Sequence, residues 1–377
     1  MADDFKYHIE QHGSLVRPSA LLTARAGGLS GDALAAAEQE AVTGAAHLQR
    51  RLTLSMVGDG QFRRSSFESV VYDRVSGFAP ADGPAPLADA AGIPAARRRS
   101  VTAAPAVAGT GTGAGVPAPA PAGRLARDEV APVLAVVDRP VFVQLPSPGY
   151  LAAVGSSLSG PGSIAAITAS GAALAAILHA EIEALSVDGV AYVALGNPLY
   201  PPLLTVAGRE SLAAAGVDVD AVLAAMIAAD RAAVAGLAVP EDFRVGLDLT
   251  DSGPLPTTAR GYDPTAVETL LDSTPFNRLG LDFPVDPAAR LPLELVKPGL
   301  VISLGVVDVS SGGLETVESI LDRVDPVIEE RGEFDVAIAT NGGFAQSADL
   351  PTMSFNEQNE KLRLVETVAR YYWGNEI

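Results

Sequence analysis

Residues 300–340 read LVISLGVVDVSSGGLETVESILDRVDPVIEERGEFDVAIAT. Two runs rich in Val, Ile and Leu, at 300–307 and 334–340, flank a stretch whose apolar residues recur at helical spacing over 316–330. Strands without polar alternation are covered on both faces, and parallel neighbours of that kind are joined by a helical crossover. The same unit repeats toward the N-terminus. Candidate strands fall at 7–14, 53–59, 141–146, 190–196, 243–250, 278–283, 300–307 and 334–340. Helical patterns occupy 30–52, 165–185, 219–235, 264–272, 316–330 and 356–372. Eight strands alternating with helices predict an α/β chain forming a single (β/α)8 TIM barrel over residues 1–377. An open doubly wound sheet is the alternative, but no Gly-rich dinucleotide loop follows the first strand.

Residues 79–123 break this rhythm. They are dominated by Ala, Pro and Gly, with three arginines, Arg97 to Arg99, in the middle. The segment reads as a flexible insertion between a strand and a helix, or as a lid folded over the barrel mouth. Elsewhere the composition sets limits. A net charge of −19 argues against nucleic acid or an anionic membrane as the main partner, whereas a small anionic substrate remains compatible with local arginines. With no cysteine there is no disulfide, thiolate metal site or Cys nucleophile. The longest apolar runs, such as 164–178, are Ala-rich and shorter than a spanning helix. The first residues lack the basic start and apolar block of a signal peptide, so the expected location is cytoplasmic.

In such barrels the working residues stand at the carboxyl ends of the strands. Those ends carry His12, Ser14 and Arg17, then Asp59, Gln61, Arg63 and Arg64, then Gln144, Asn197, Asp248, Thr250 and Asp251, Asp282, Asp308 and Asn341. Gly13 allows close backbone approach, and Ser14 with Arg17 suits a carboxylate or sulfonate, although a plain turn with a surface arginine has the same sequence. His12 is a candidate general acid or base. Asp59 stands beside two arginines and reads as a partner for a substrate amino group, as a proton shuttle or as a salt-bridged turn. Asp248 and Asp282 end nearby strands, where converging carboxylates raise one another's pKa, hold a hard cation, or simply cap helices.

The chain resembles the cobalamin-independent methionine synthase family, in the short form corresponding to the catalytic barrel. Its wider group includes epoxyalkane:coenzyme M transferase and uroporphyrinogen decarboxylase. The likeness rests on Gly13-Ser14-Leu15-Val16-Arg17-Pro18, Gly58-Asp59-Gly60-Gln61-Phe62-Arg63-Arg64, Leu145-Pro146-Ser147-Pro148, Gly343-Phe344, Glu360-Lys361-Leu362 and Ala369-Arg370-Tyr371-Tyr372-Trp373-Gly374. The resemblance implies a barrel whose zinc binds and deprotonates a thiol. It also marks departures at the implied functional positions. The His-x-Cys pair reads Asp248-Leu249-Thr250, the glutamate ligand falls at Asp282, and the second cysteine is Gly342. The substrate-binding Asp-Glu-Pro reads Gly196-Asn197-Pro198, and Asp-Gly-Glu reads Asp59-Gly60-Gln61. A thiolate zinc site is not expected from these donors.

The sequence supports three readings. In the first, a methionine-synthase-like enzyme without zinc binds a small anionic or amino-acid-like substrate through Ser14, Arg17, Gln61, Arg64, Asn197, Thr250 and Asn341. Asp248, Asp282, His12 and Asp59 then supply proton transfer, for a lyase, a decarboxylase or a non-thiol methyl or alkyl transfer. The second keeps methyl transfer from a folate or corrinoid donor to homocysteine, with an oxygen-ligated metal. The third is a non-catalytic paralogue that binds a ligand or pairs with a zinc-competent barrel subunit. A homo-oligomer is compatible with all three.

Overall fold

The computed structural model describes residues 7–81, 83–101, 119–158, 162–250, 255–256, 261–272, 275–345, 347–348 and 351–374. Seven strands form one parallel sheet, in the spatial order Ile9–Glu10, Val336–Thr340, Val301–Val307, Arg278–Asp282, Arg244–Asp248, Tyr192–Gly196, Phe142–Pro146. The sheet curls into a TIM-barrel arrangement. Its first and last strands in sequence are neighbours, with Ile9 opposite Ile338 and Glu10 opposite Ala339.

The expected eighth strand at 53–59 is reduced to a single bridge, Val57 to Val141. Val57 N–H donates to Pro140 O at 3.0 Å, and Phe142 N–H donates to Val57 O at 3.1 Å. On the other side the Ile9 N–H donates to a side chain, Ser55 Oγ, at 3.0 Å. A hydroxyl that stands in for a backbone acceptor stops the ladder after one rung. The hydrogen-bonded barrel is thus incompletely closed along this seam. The first strand is likewise shorter than the expected 7–14, because its chain turns at Gly13, which has φ +90°.

Helices cover the sheet where the periodicity places them: Gly31–Arg51, Ser163–Asp188, Val219–Val234, Pro264–Asp272, Val317–Arg331 and Phe355–Trp373. Their starts are chemically marked. Asp218, Thr316 and Ser354 each accept a first-turn N–H, and Ser354 with Glu357 forms a full capping box. One expectation is corrected. Ser163–Asp188 runs past the apolar 164–178 stretch and is long and apolar enough to cross a membrane by length and composition. It nevertheless buries Ile167, Leu174, Leu178, Ile182 and Leu185 within the core. Its buried Glu181 accepts from Arg124 Nε at 2.8 Å and Ala126 N–H at 3.0 Å.

Residues 102–118 of the insertion lie outside the described residues. The described parts are ordered by pairing. Phe78–Pro80 runs antiparallel to Arg99–Val101, and Val75–Ser76 to Ala120–Pro121. The backbone of Arg99 packs so closely on Gly155 that an added Cβ there would lie 2.2 Å from Arg99 O. Arg97 is buried against fully buried Glu68, with Nε–Oε1 at 3.1 Å and Nη2–Oε1 at 2.6 Å. A buried pair of this kind is a strong tie because losing one partner strands the other charge.

Candidate functional site

Along a strand, alternate side chains face the same way. Arg244, Gly246 and Asp248 therefore share one face, and Arg278, Gly280 and Asp282 share the corresponding face of the next strand, with Asp248 opposite Gly280. The glycine leaves room beside Asp248. A Cβ at position 280 would lie 2.8 Å from Asp248 Oδ1 and 2.9 Å from His12 Cε1. Into that space the barrel packs a column of polar groups. Arg278 pairs with Glu10, and its Nη2 also donates to Tyr7 O at 2.8 Å. Glu10 Oε2 and Ser303 Oγ each lie 3.0 Å from His12 Nε2. His12 Nδ1 stands 3.6 Å from Asp248 Oδ1. Asp248 Oδ2 accepts from Gln144 Nε2 at 2.6 Å, and Gln144 Oε1 accepts from Gln61 Nε2 at 3.2 Å.

Burial opposes charge on Glu10 and His12, yet the neighbours reverse it. Burial alone would push the Glu10 carboxyl up, but Arg278 and the His12 hydrogen bond bring it down from 4.5 to about 2. Burial pushes His12 down, and the carboxylates of Asp248 and Glu10 more than restore it, so the imidazole holds its proton above its ordinary range. A cationic ring between two carboxylates, stacked on the Glu10–Arg278 pair, is electrically consistent. Asp59 behaves differently. Burial, reinforced by nearby Glu129, raises it from 3.8 to about 7 despite Arg64. One of its oxygens accepts the Gln61 N–H at 3.0 Å, while the other has no hydrogen-bond partner among the described residues.

Above the column lies the mouth cavity, about 440 Å³ including its opening to solvent, walled by Ser14, Gln61, Gln144 and Thr250 with Phe67 and Arg97. Arg97 and its neighbour Ile93 come from the insertion, which therefore forms part of the mouth wall. Beneath Gln144 a smaller space is enclosed by His12, Asp248, Met56, Phe142 and Tyr192. Gln144 is the floor between the two. Gln61 reaches it from a left-handed backbone, φ +57°, which costs a non-glycine residue about 1–2 kcal/mol.

The residues expected at the site separate into groups. His12, Asp248, Gln61 and Thr250 meet in the column or the mouth, and Ser14 lines the mouth while its Oγ accepts the Ala345 N–H at 3.0 Å. Arg17 donates to the carbonyls of Gln61 at 2.9 Å, Arg64 at 2.7 Å, Ala345 at 3.4 Å and Ser347 at 3.3 Å. It fastens the strained Gln61 turn to the segment after the last strand. Arg64 is bound to Glu129, Nη2–Oε2 2.7 Å, and to Gln144 O at 2.9 Å. Asn197 turns out of the mouth, giving Nδ2 to Ser147 Oγ at 2.9 Å and to buried Asp230 at 3.0 Å. Asn341 Oδ1 accepts the Val309 N–H at 2.9 Å. Asp282 lies two residues beyond Gly280, the register partner of Asp248. Asp251 lies outside the described residues.

Sequence reasoning missed Glu10, Arg278, Ser303 and Arg97. Arg278 had a visible signal, a charge at the head of a run otherwise apolar as far as Asp282, which in a barrel interior requires a partner, whereas Glu10 stands among the polar His8, Gln11 and His12.

Comparison with known proteins bears on the fold. No family model matches the chain. A curated relative, the uncharacterized protein YxjH of Bacillus subtilis (strain 168), is 27% identical over 196 residues, 51% of this chain and 51% of that protein. The match thus spans about half the length of that relative. The putative vitamin-B12 independent methionine synthase from Listeria monocytogenes superposes with a TM-score of 0.68 at 18% identity, covering 98% of each chain. The B12-independent methionine synthase from Shewanella sp. W3-18-1, in complex with selenomethionine, gives 0.70 at 16% identity, covering 97% of each. From end to end, this chain has the fold of those methionine synthase structures.

Proposed function

We propose that the chain is an enzyme of the methionine-synthase-like barrel group that acts on a small anionic or amino-acid-like substrate by acid–base chemistry, as a lyase or a non-thiol group transferase. The observation that carries this is the continuous column from the Arg278–Glu10 pair through His12, Asp248 and Gln144 to the mouth. Asp248 is the ionisable group nearest the floor. A substrate that takes the Gln144 amide for itself uncovers Asp248 Oδ2, which then accepts a substrate proton. His12 below, protonated between Glu10 and Asp248, favours the Asp248 carboxylate before the transfer, and Asp248 returns the proton to the departing product. Asp59, poised near neutrality behind the Gln61 turn, and Asp282 on the adjacent strand end are the further acid–base candidates of this reading. Ser14, Gln61 and Thr250 face the ligand, while Arg17, Arg64, Asn197 and Asn341 hold the walls that present them.

The residues that stand where the resemblance puts zinc ligands do not fit thiolate zinc. They offer two carboxylates, a hydroxyl and a glycine, and the Asp248 oxygens already accept Gln144 Nε2 at 2.6 Å and the Thr250 N–H at 2.9 Å. No step is therefore routed through that metal.

The test is a turnover screen of pooled small organic acids and amino acids, with and without methyl donors, followed by NMR. A compound consumed by the native chain and spared by Asp248→Asn and Asp282→Asn, both folded by circular dichroism, supports the assignment. Undiminished turnover in both variants refutes it.

A further inference from the structure

We infer that the mouth selects a small carboxylate without a cationic nitrogen, a hydroxy or oxo acid, against the corresponding α-amino acid; this deepens the reading of the mouth as substrate site and rests on it. Among the described residues, no carboxylate lines the mouth cavity, and its one formally charged wall residue is Arg97. An ammonium group moved from water to such a site loses hydration with no anion in return.

The nearby carboxylates are already committed. Asp248 lies under the floor and accepts from Gln144 and the Thr250 N–H. Glu68 is held by Arg97 and by the Tyr150 hydroxyl. Nor is there space for a carboxylate on the neighbouring strand end. A Cβ at Gly196 would lie 2.8 Å from Phe67 Cζ, so the phenyl ring fills the volume that an acidic side chain there would need. Asn197, beside it, spends its amide on Ser147 and Asp230.

The direction of the amide chain supplies the positive half of the argument. A carboxylate oxygen only accepts, so Gln144 must turn its NH2 to Asp248 and its carbonyl toward Gln61. Gln61 must then turn its own NH2 to Gln144. Each amide uses one N–H in the chain and keeps a second, so two donors belong to the polar floor of the mouth. These donors suit carboxylate and hydroxyl or carbonyl oxygens, with the Arg97 charge already balanced by Glu68, while Phe67, Ile93 and Pro198 offer apolar surface to a short aliphatic chain.

The experiment is calorimetric titration of the full chain with two matched pairs, 2-hydroxybutanoate against L-2-aminobutanoate and 2-hydroxy-4-(methylthio)butanoate against L-methionine. The same titrations are run on Gln61→Glu, which returns one carboxylate to the wall. The expected result is that the hydroxy acid binds at least about tenfold tighter in each pair, and that Gln61→Glu narrows or reverses the ratio. Equal or tighter binding of the amino acid, still altered by Gln61→Glu, overturns the selection and leaves the mouth as the substrate site. Failure of all four compounds to saturate below about 10 mM, or binding indifferent to Gln61→Glu, overturns both.

Discussion

Glu10→Gln gives the sharpest test of the buried column, because its effect has a calculable pH dependence. The native carboxyl titrates at about 2 instead of 4.5. Each pK unit corresponds to about 1.4 kcal/mol, so ionised Glu10 stabilises the fold by about 3 kcal/mol at pH 7. A depressed acid contributes stability that is complete above its unfolded pKa and is lost as pH falls through the folded one. At pH 3 the unfolded carboxyl is protonated while the native one is still mostly ionised, and about 1 kcal/mol remains. Removing the charge also strands Arg278 in the interior, so the loss at pH 7 is about 3–5 kcal/mol. Urea unfolding of native and variant chains at several pH values between 3 and 7 measures the gap between them. It shrinks by about 2 kcal/mol across that range. A gap below about 1 kcal/mol at pH 7, or one of equal size at both ends, refutes the ion-paired column. His12 provides a second readout. Its raised pKa means that its own contribution is present below its unfolded value and fades as pH rises through the folded one. Without Glu10, the NMR titration of its ring moves downward.

Asp59→Asn has the opposite sign: its carboxyl is raised from 3.8 to about 7, so the charged form burdens the native state above neutrality. The variant is more stable than the native chain by on the order of 2–4 kcal/mol at pH 8 and equal to it below pH 4, measured by urea unfolding, and a loss at pH 8 contradicts the assignment. Glu68→Gln breaks the tie to Arg97, costing about 3–5 kcal/mol. It also accelerates proteolysis within residues 83–101, and an unchanged cleavage rate would show that the insertion is held by other contacts. Gly280→Ala drives a methyl into Asp248 and His12. It costs about 1–3 kcal/mol by thermal or chemical melts and shifts the His12 ring titration, whereas a native-like titration would place the column elsewhere.

The strands from 142 onward were legible as short, nearly continuous apolar runs, and Val219–Val234, Val317–Arg331 and Phe355–Trp373 as helices whose caps agree with their apolar spacing. The segment 53–59 was misleading. Its composition suits a strand, but Ser55 offers its hydroxyl to Ile9 and ends the ladder. At the site, strand ends named the right neighbourhood but could not give direction. Gln144 lies within its strand opposite Ala194, whereas Asn197 follows the end of the neighbouring strand three residues further on, so the two side chains leave opposite faces. Asn197 finds Asp230 and Ser147 outside the mouth, while Gln144 finds Asp248 within it. Arg17 looked like an anion binder and instead donates to four carbonyls. Such choices depend on partners distant in sequence, which a local pattern does not contain.

The pairing of Ile9 with Ile338 has a consequence for biosynthesis. Within this chain the strand Ile9–Glu10 is synthesised before the other strands of the sheet, but its backbone partner follows 329 residues later, and Arg278, the counter-ion of Glu10, also comes late. Contacts this far apart carry a large loop-closure cost and slow folding. Until the final strand is made, the segment around Glu10 carries an uncompensated acid and an unpaired edge. An uncovered edge of this kind is open to non-native strand pairing until its partner strand arrives.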